Sequence, residues 1–261
     1  PERGFGHVGR ACGGVGFVET NTRLVMNLRL REAKVGHVSQ TPLLELDSWL
    51  LEAGGMHMVL GGNGSGKSTL LRSILGVHPF LGGDVVLEVG SREWGPADRS
   101  HWVNHLAFVP SMPPKQVGLT VKEVLELSGD VGDALGQNPR MKAWLGLRLS
   151  QLSDGQAQQV MVARAVLQSP CWVVLDEPTA FLDVAAQNEM WAMLIRHVEQ
   201  GGSVLMATHD LRGVQRGLSI TTPEVKAKSS ISLLRKRGVV HLSVEATLEE
   251  LESEFEGNAL G

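Results

Sequence analysis

"MHMVLGGNGSGKSTLLRSIL", Met56 to Leu75, decides the fold. It opens as a short apolar run, breaks into glycines after Leu60, and resumes at Lys67 with the spacing of a helix through Leu75. Gly61-Gly62-Asn63-Gly64-Ser65-Gly66-Lys67-Ser68-Thr69 fits G-x-x-x-x-G-K-[ST] at every fixed position, between a strand and a helix as that motif requires. The glycines let backbone N–H groups turn inward toward phosphate oxygens. The helix that starts at Lys67 adds the positive end of its dipole. Lys67 is placed to reach the β- and γ-phosphates of ATP, and the Ser68 hydroxyl to ligate Mg²⁺.

On the C-terminal side, "CWVVLDEP" is a continuous apolar run closed by two acids, the pattern of a strand buried on both faces. Asp176 at its end is expected to hold Mg²⁺ through water. Glu177 is expected to act as general base on the attacking water. Adjacent acids on an apolar strand are costly unless positive charge lies nearby, and Mg²⁺ with Lys67 supplies it. "SVLMATHD" ends a second such strand in His209. An imidazole there reads as a contact to the γ-phosphate that orients Glu177 and water.

Outside these motifs, "VMNLRLREAKV", "DVVLEV" and "LAFVP" read as strands and Val184 to Val198 as a helix. The stretch from Thr120 to Leu149 has helical texture. "SISLLRKRGVVHLSVEATLEELESEF" reads as a hairpin followed by an acidic helix. Strands alternating with helices predict an α/β fold: a P-loop NTPase with a mostly parallel central sheet, an antiparallel β part and an inserted helical lobe. The expected division is a Gly-rich, poorly ordered N-terminal tail over 1–25, one domain over 26–250 with the lobe at about 113–165, and a C-terminal tail over 251–261. Gly4 to Gly9 matches G-x-G-x-x-G but lacks the preceding strand that a dinucleotide site needs.

The 261 residues are enough for one large domain, and 43% hydrophobic content supports a packed core. A net charge of −4 gives no footprint for nucleic acid. No run approaches the ~20 apolar residues of a membrane-spanning helix, so a membrane role must come through a partner. Cys12 and Cys171 form neither a disulfide framework nor a zinc site, which suggests a reducing compartment, and Cys171 reads as a buried thiol.

A phosphate loop with an Asp-Glu strand end leaves kinase, GTPase and helicase open. "LSDGQ", Leu152 to Gln156, narrows the choice. Ser153 is a good N-cap and Gly155 permits close backbone approach, so this is a second helix N-terminus suited to an anion. One chain does not need two such sites for one γ-phosphate. Two copies packed head to tail do, each ATP lying between Lys67 of one and Ser153 and Gly155 of the other.

With these motifs in order, the chain resembles the ATP-binding subunits of ABC transporters, over roughly Asn27 to Glu250. "GGNGSGKST" matches the phosphate loop and "LSDGQ" the signature (Ser153, Asp154, Gly155, Gln156). "VVLDEP" matches the acidic strand, "TAFLD" the dimer-contact loop with Asp183, and "THD" the switch histidine His209. The resemblance implies a homodimer that closes on ATP with Mg²⁺ and opens on hydrolysis. It further implies a transmembrane permease subunit, a place on the cytoplasmic face of the membrane, and a substrate-binding protein where transport is inward.

Two positions depart from the family's pattern. Where the family has a glutamine that touches Mg²⁺, this chain has Ser111, with Gln116 near enough to substitute. Where the family has an aromatic residue stacked on adenine, this chain has His37. Asp154 stands where glycine is commoner in the signature. The stretches around it resemble ATPases that import iron-siderophore complexes and cobalamin, which implies metal-chelate import. The alternative is a soluble ABC ATPase acting on ribosomes or DNA. Those usually carry two motif sets or a long coiled-coil insert, and this chain has one set and a short lobe.

Overall fold

A computed structural model describes residues 25–36, 41–235 and 238–259. The stretch Gly4–Gly9, Cys12 and His37 lie outside the described residues.

Two sheets carry the molecule. The larger has six strands: β3 (Met56–Leu60), β6 (Leu106–Val109), β7 (Trp172–Asp176), β8 (Ser203–Thr208), β9 (Ser230–Arg235) and β10 (Gly238–Leu242). Their order is β10-β9-β3-β8-β7-β6, and all neighbours pair in parallel except the β9–β10 hairpin. The smaller sheet is antiparallel, in the order β2-β1-β4-β5, from β1 (Asn27–Val35), β2 (Leu44–Leu51), β4 (Gly82–Val89) and β5 (Arg92–Trp94).

The central strands are buried on both faces, and their side chains alternate strictly between two cores. Trp172, Val174, Leu205, Ala207 and Val59 face one side, where they pack with the antiparallel sheet and helix α1 (Lys67–Ile74). Val173, Leu175, Val204, Met206, Met58 and Leu60 face the other. That second side is covered by α5 (Asp154–Leu167) and α6 (Val184–Glu199), with α7 (Leu211–Ser219) behind. Trp172 links the sheets directly, its indole N–H donating 2.7 Å to the Met26 carbonyl.

Short α2 (Arg99–His105) leads into β6, and α8 (Pro223–Ala227) into β9. Between β6 and β7 the chain forms α3 (Val121–Glu126), α4 (Val131–Gln137), two 3-10 turns at Pro139–Trp144 and Leu149–Gln151, and α5. Thr120 and Glu123 make a reciprocal capping box that starts α3. The last helix, α9, runs Leu248–Ala259 and so crosses residue 250, where the sequence reading ends the domain. Its reason is local: Thr247 and Glu250 bond reciprocally at its start, and Leu251 is buried. Cys171 is half-buried rather than buried, because it precedes β7 at the end of the sheet, with its sulfur 3.4 Å from His105 Nδ1.

Candidate functional site

The site is built where β3, β7 and β8 end side by side. Parallel pairing places Leu60 next to Thr208, and Asp176 next to Ala207, so the segments that follow all emerge at one edge of the sheet. In open α/β sheets that edge is where ligands bind.

After β3 the chain makes the phosphate loop. Gly64 and Gly66 have φ of +78° and +95°, conformations that favour glycine. Gly66 is the N-cap of α1, so the backbone N–H groups of its first turn point into the loop. The buried Lys67 ammonium curls back into the same loop. It donates to the Gly61 carbonyl at 2.7 Å and the Gly62 carbonyl at 3.2 Å, and pairs with Glu177 Oε1 at 3.1 Å.

Glu177 closes the other side. Its φ is +46°, strained for any residue with a Cβ, and its N–H donates to the Ala207 carbonyl at 2.8 Å. Its second oxygen accepts from His209 twice, from Nδ1–H at 2.8 Å and from the backbone N–H at 3.2 Å. A carboxylate only accepts, so His209 carries its hydrogen on Nδ1. Lys67, Glu177 and His209 therefore form one continuous chain of contacts.

Beside them, Ser68 Oγ donates 3.0 Å to Asp176 Oδ1. Burial pushes the Asp176 carboxyl above the ordinary carboxylate range; the Ser68 hydrogen bond opposes this and the neighbouring Glu177 charge adds to it. A carboxylate held this way gains from a cation. Two hard oxygens 3.0 Å apart fit Mg²⁺, which takes one or two protein ligands and completes its shell with water and phosphate oxygens. Among the described residues no three His, Cys, Asp or Glu side chains group to hold a metal, and Mg²⁺ bound with a phosphate does not require that.

The second helix N-terminus lies in another recess, of about 270 Å³, lined by Ser153, Gly155, Gln156 and Asp183 with Arg140 and Trp144 among others. Ser153 and Gln156 cap α5 reciprocally, at 3.2 and 3.0 Å. Asp183 caps α6, its Oδ1 accepting from the Ala186 N–H at 2.8 Å. Gly155 is required by packing: a Cβ there would lie 2.6 Å from the Phe181 carbonyl.

Ser111 follows β6 by two residues and is half-buried, while Gln116 is exposed. Two side chains near them escaped the sequence reading. Gln158, fully buried on α5, donates 3.1 Å to the Pro110 carbonyl. Lys115 Nζ lies 3.0 Å from Asp154 Oδ1. The glutamine was visible as polarity inside a buried helix face; the lysine had no local signal.

The fold and this loop define a P-loop α/β nucleotide-binding protein, and comparison with known proteins fixes which kind. The ABC transporter family pattern matches residues 44–180, more than half the chain. Zinc import ATP-binding protein ZnuC of Paracoccus denitrificans is 34% identical over 190 residues, covering 71% of this chain and 70% of that protein. Achromobactin transport ATP-binding protein CbrD of Dickeya dadantii is 31% identical over 197 residues, covering 69% and 72%. A solved ATP-binding subunit of an ABC transporter superimposes with a TM-score of 0.71 at 23% identity, over 88% of this chain and 99% of the other. A dimeric ATP-binding cassette bound to ADP and Pi superimposes at 0.69 and 21%, over 84% and 100%. The chain belongs to the ABC transporter ATP-binding family and is an ATPase of that family. The P-loop NTPase fold with its mostly parallel sheet is the one the sequence predicts.

Proposed function

We propose that this chain is the ATP-hydrolysing subunit of an importer, working on the cytoplasmic face of a membrane. Two copies would hold ATP between them head to tail and drive a separate transmembrane permease. Among the described residues no helix is long and apolar enough to cross a membrane; in this reading the path for cargo lies in the permease. The reading treats 26–250 as one domain with its lobe at about 113–165.

The observation that carries the chemistry is the chain Lys67–Glu177–His209 beside Ser68–Asp176. Gly61 to Thr69 cradle the phosphates. Ser68 and Asp176, with Ser111 from the neighbouring strand end, would hold Mg²⁺. When bound, Mg²⁺ offsets charge on the β- and γ-phosphates. An entering phosphate competes with Glu177 for the Lys67 ammonium. Exchange of the carboxylate for phosphate oxygens leaves Glu177 held by His209 and turned toward water, as a general base needs to be. Ser153, Gly155 and Gln156 of the second copy meet the γ-phosphate, and Asp183 steadies the contact loop between copies.

The cargo reading is a metal chelate such as an iron-siderophore complex, delivered by a substrate-binding protein. It draws on the "LSDGQ" stretch and on zinc import and achromobactin transport among the relatives. Phosphonate and taurine import proteins of similar identity mark the range of cargo among the matches.

Glu177→Gln tests the catalytic assignment. It should bind ATP and form a stable dimer with Mg-ATP while hydrolysis falls about a hundredfold or more. Full turnover in that variant would remove Glu177 as the base.

A further inference from the structure

Lys115 and Asp154 are 39 residues apart in sequence, yet their charged groups meet at 3.0 Å. Asp154 is the first residue of α5, directly after the cap Ser153. Lys115 belongs to the segment that leaves β6 through Pro110, Ser111, Pro113 and Pro114, and its N–H donates 2.8 Å to the Pro113 carbonyl. Proline fixes φ, so this segment has few ways to rearrange. This segment and the end of β6 before it are tied to successive turns of α5. Arg164 donates to the Phe108 carbonyl at 3.4 Å, Gln158 to the Pro110 carbonyl at 3.1 Å, and Lys115 pairs with Asp154. The first two ties hold backbone. The third joins two charges at the surface, 30% and 54% exposed.

Exposed ion pairs add little to stability, so stability does not account for this one. Its place does. A carboxylate in the first turn suits an isolated helix. It opposes a second anion arriving at the same N-terminus, because like charges a few ångströms apart repel. In the head-to-tail reading the arriving anion is the γ-phosphate of ATP bound by the other copy.

We propose that Lys115 is a positioning residue for that ATP: its ammonium neutralises Asp154 and keeps the start of α5 receptive to a triphosphate. The proposal rests on the head-to-tail reading given above. Lys115 also follows Ser111 by four residues, so nucleotide contact at the signature of one copy is tied to the strand-end segment of that same copy's own site.

The test uses the full chain carrying Glu177→Gln. Dimer fraction is followed by analytical ultracentrifugation against Mg-ATP concentration, and binding to the monomer by a fluorescent ATP analogue. Adding Lys115→Ala should raise the ATP concentration for half-dimerisation by up to about fivefold, the upper range for an exposed pair, with monomer binding unchanged. Lys115→Arg should dimerise like the parent. Combining Lys115→Ala with Asp154→Gly should return the midpoint to near the parent value, which loss of a merely structural tie would not do. Parent-like dimerisation of Lys115→Ala, failure of Asp154→Gly to rescue it, or loss of monomer binding would each overturn the assignment. If the Glu177→Gln parent does not dimerise with Mg-ATP, the head-to-tail reading falls and this proposal with it. If the parent dimerises and Lys115→Ala matches it, only this proposal falls.

Discussion

Lys67 has three acceptors, the Gly61 and Gly62 carbonyls and Glu177, one for each N–H of its ammonium. Lys67→Ala removes the charge meant for the phosphates and leaves Glu177 with His209 alone. Hydrolysis should fall at least about a hundredfold, measured as phosphate release at saturating Mg-ATP. Appreciable turnover would sink the assignment. These residues were legible in the sequence because the motif fixes their spacing and type. Lys67, Glu177 and His209 arrive from three different strand ends, and the buried parallel runs before them announced those ends. The strain at Glu177, with φ +46°, was not legible, since it follows from where β7 stops relative to β8. Lys115 was not legible either, because its partner Asp154 is distant in the chain.

Among the elements, β3 carries a buried His57 just upstream of the loop. Its Nε2–H donates to the Glu52 carbonyl at 2.9 Å, so Nδ1 accepts from the Ser230 hydroxyl at 2.8 Å. Burial lowers its pKa from 6.5 to about 4, against the opposing pull of the Glu52 carbonyl. Below pH 6.5 the unfolded chain takes up a proton that the folded chain refuses until about pH 4. The stability tied to neutral His57 is thus complete above pH 6.5 and drains away as the pH falls toward 4. Between pH 7 and pH 5 the loss should be about 2 kcal/mol, read from urea midpoints. His57→Gln should flatten that interval, and an equally steep fall in the variant would assign the effect elsewhere. On α7, a Cβ at Gly217 would meet the buried Trp191 ring at 2.5 Å. Alanine gains up to ~1 kcal/mol in helix propensity, but displacing a packed indole costs about 1–3 kcal/mol. Gly217→Ala should therefore destabilise, seen as a lower urea midpoint; a higher one would show that the ring can move. The sequence reading found the buried parallel strands from their apolar runs. It missed β2, β5, α2, α7 and α8. β2 breaks its alternation at Asp47-Ser48, and β5 has three residues, too few for a period to register.

At the scale of the whole molecule, the proposed function has two copies closing on ATP and acting on a membrane subunit. The antiparallel sheet and α1 on one face, and α5 and α6 on the other, make a rigid frame that brings three strand ends together. The signature recess is a separate one, and none of Lys67, Ser68, Asp176, Glu177 and His209 lines it. That separation is the physical reason to expect a second copy, and the order of the motifs in the sequence had already suggested it. The most direct measurement is co-purification: tagged Glu177→Gln protein is recovered from detergent-solubilised host membranes with Mg-ATP present. The account predicts a multi-spanning membrane protein at close to one copy per copy of this chain. Recovery of only an ATP-locked dimer of this chain, or of a ribosome or DNA complex, would contradict it.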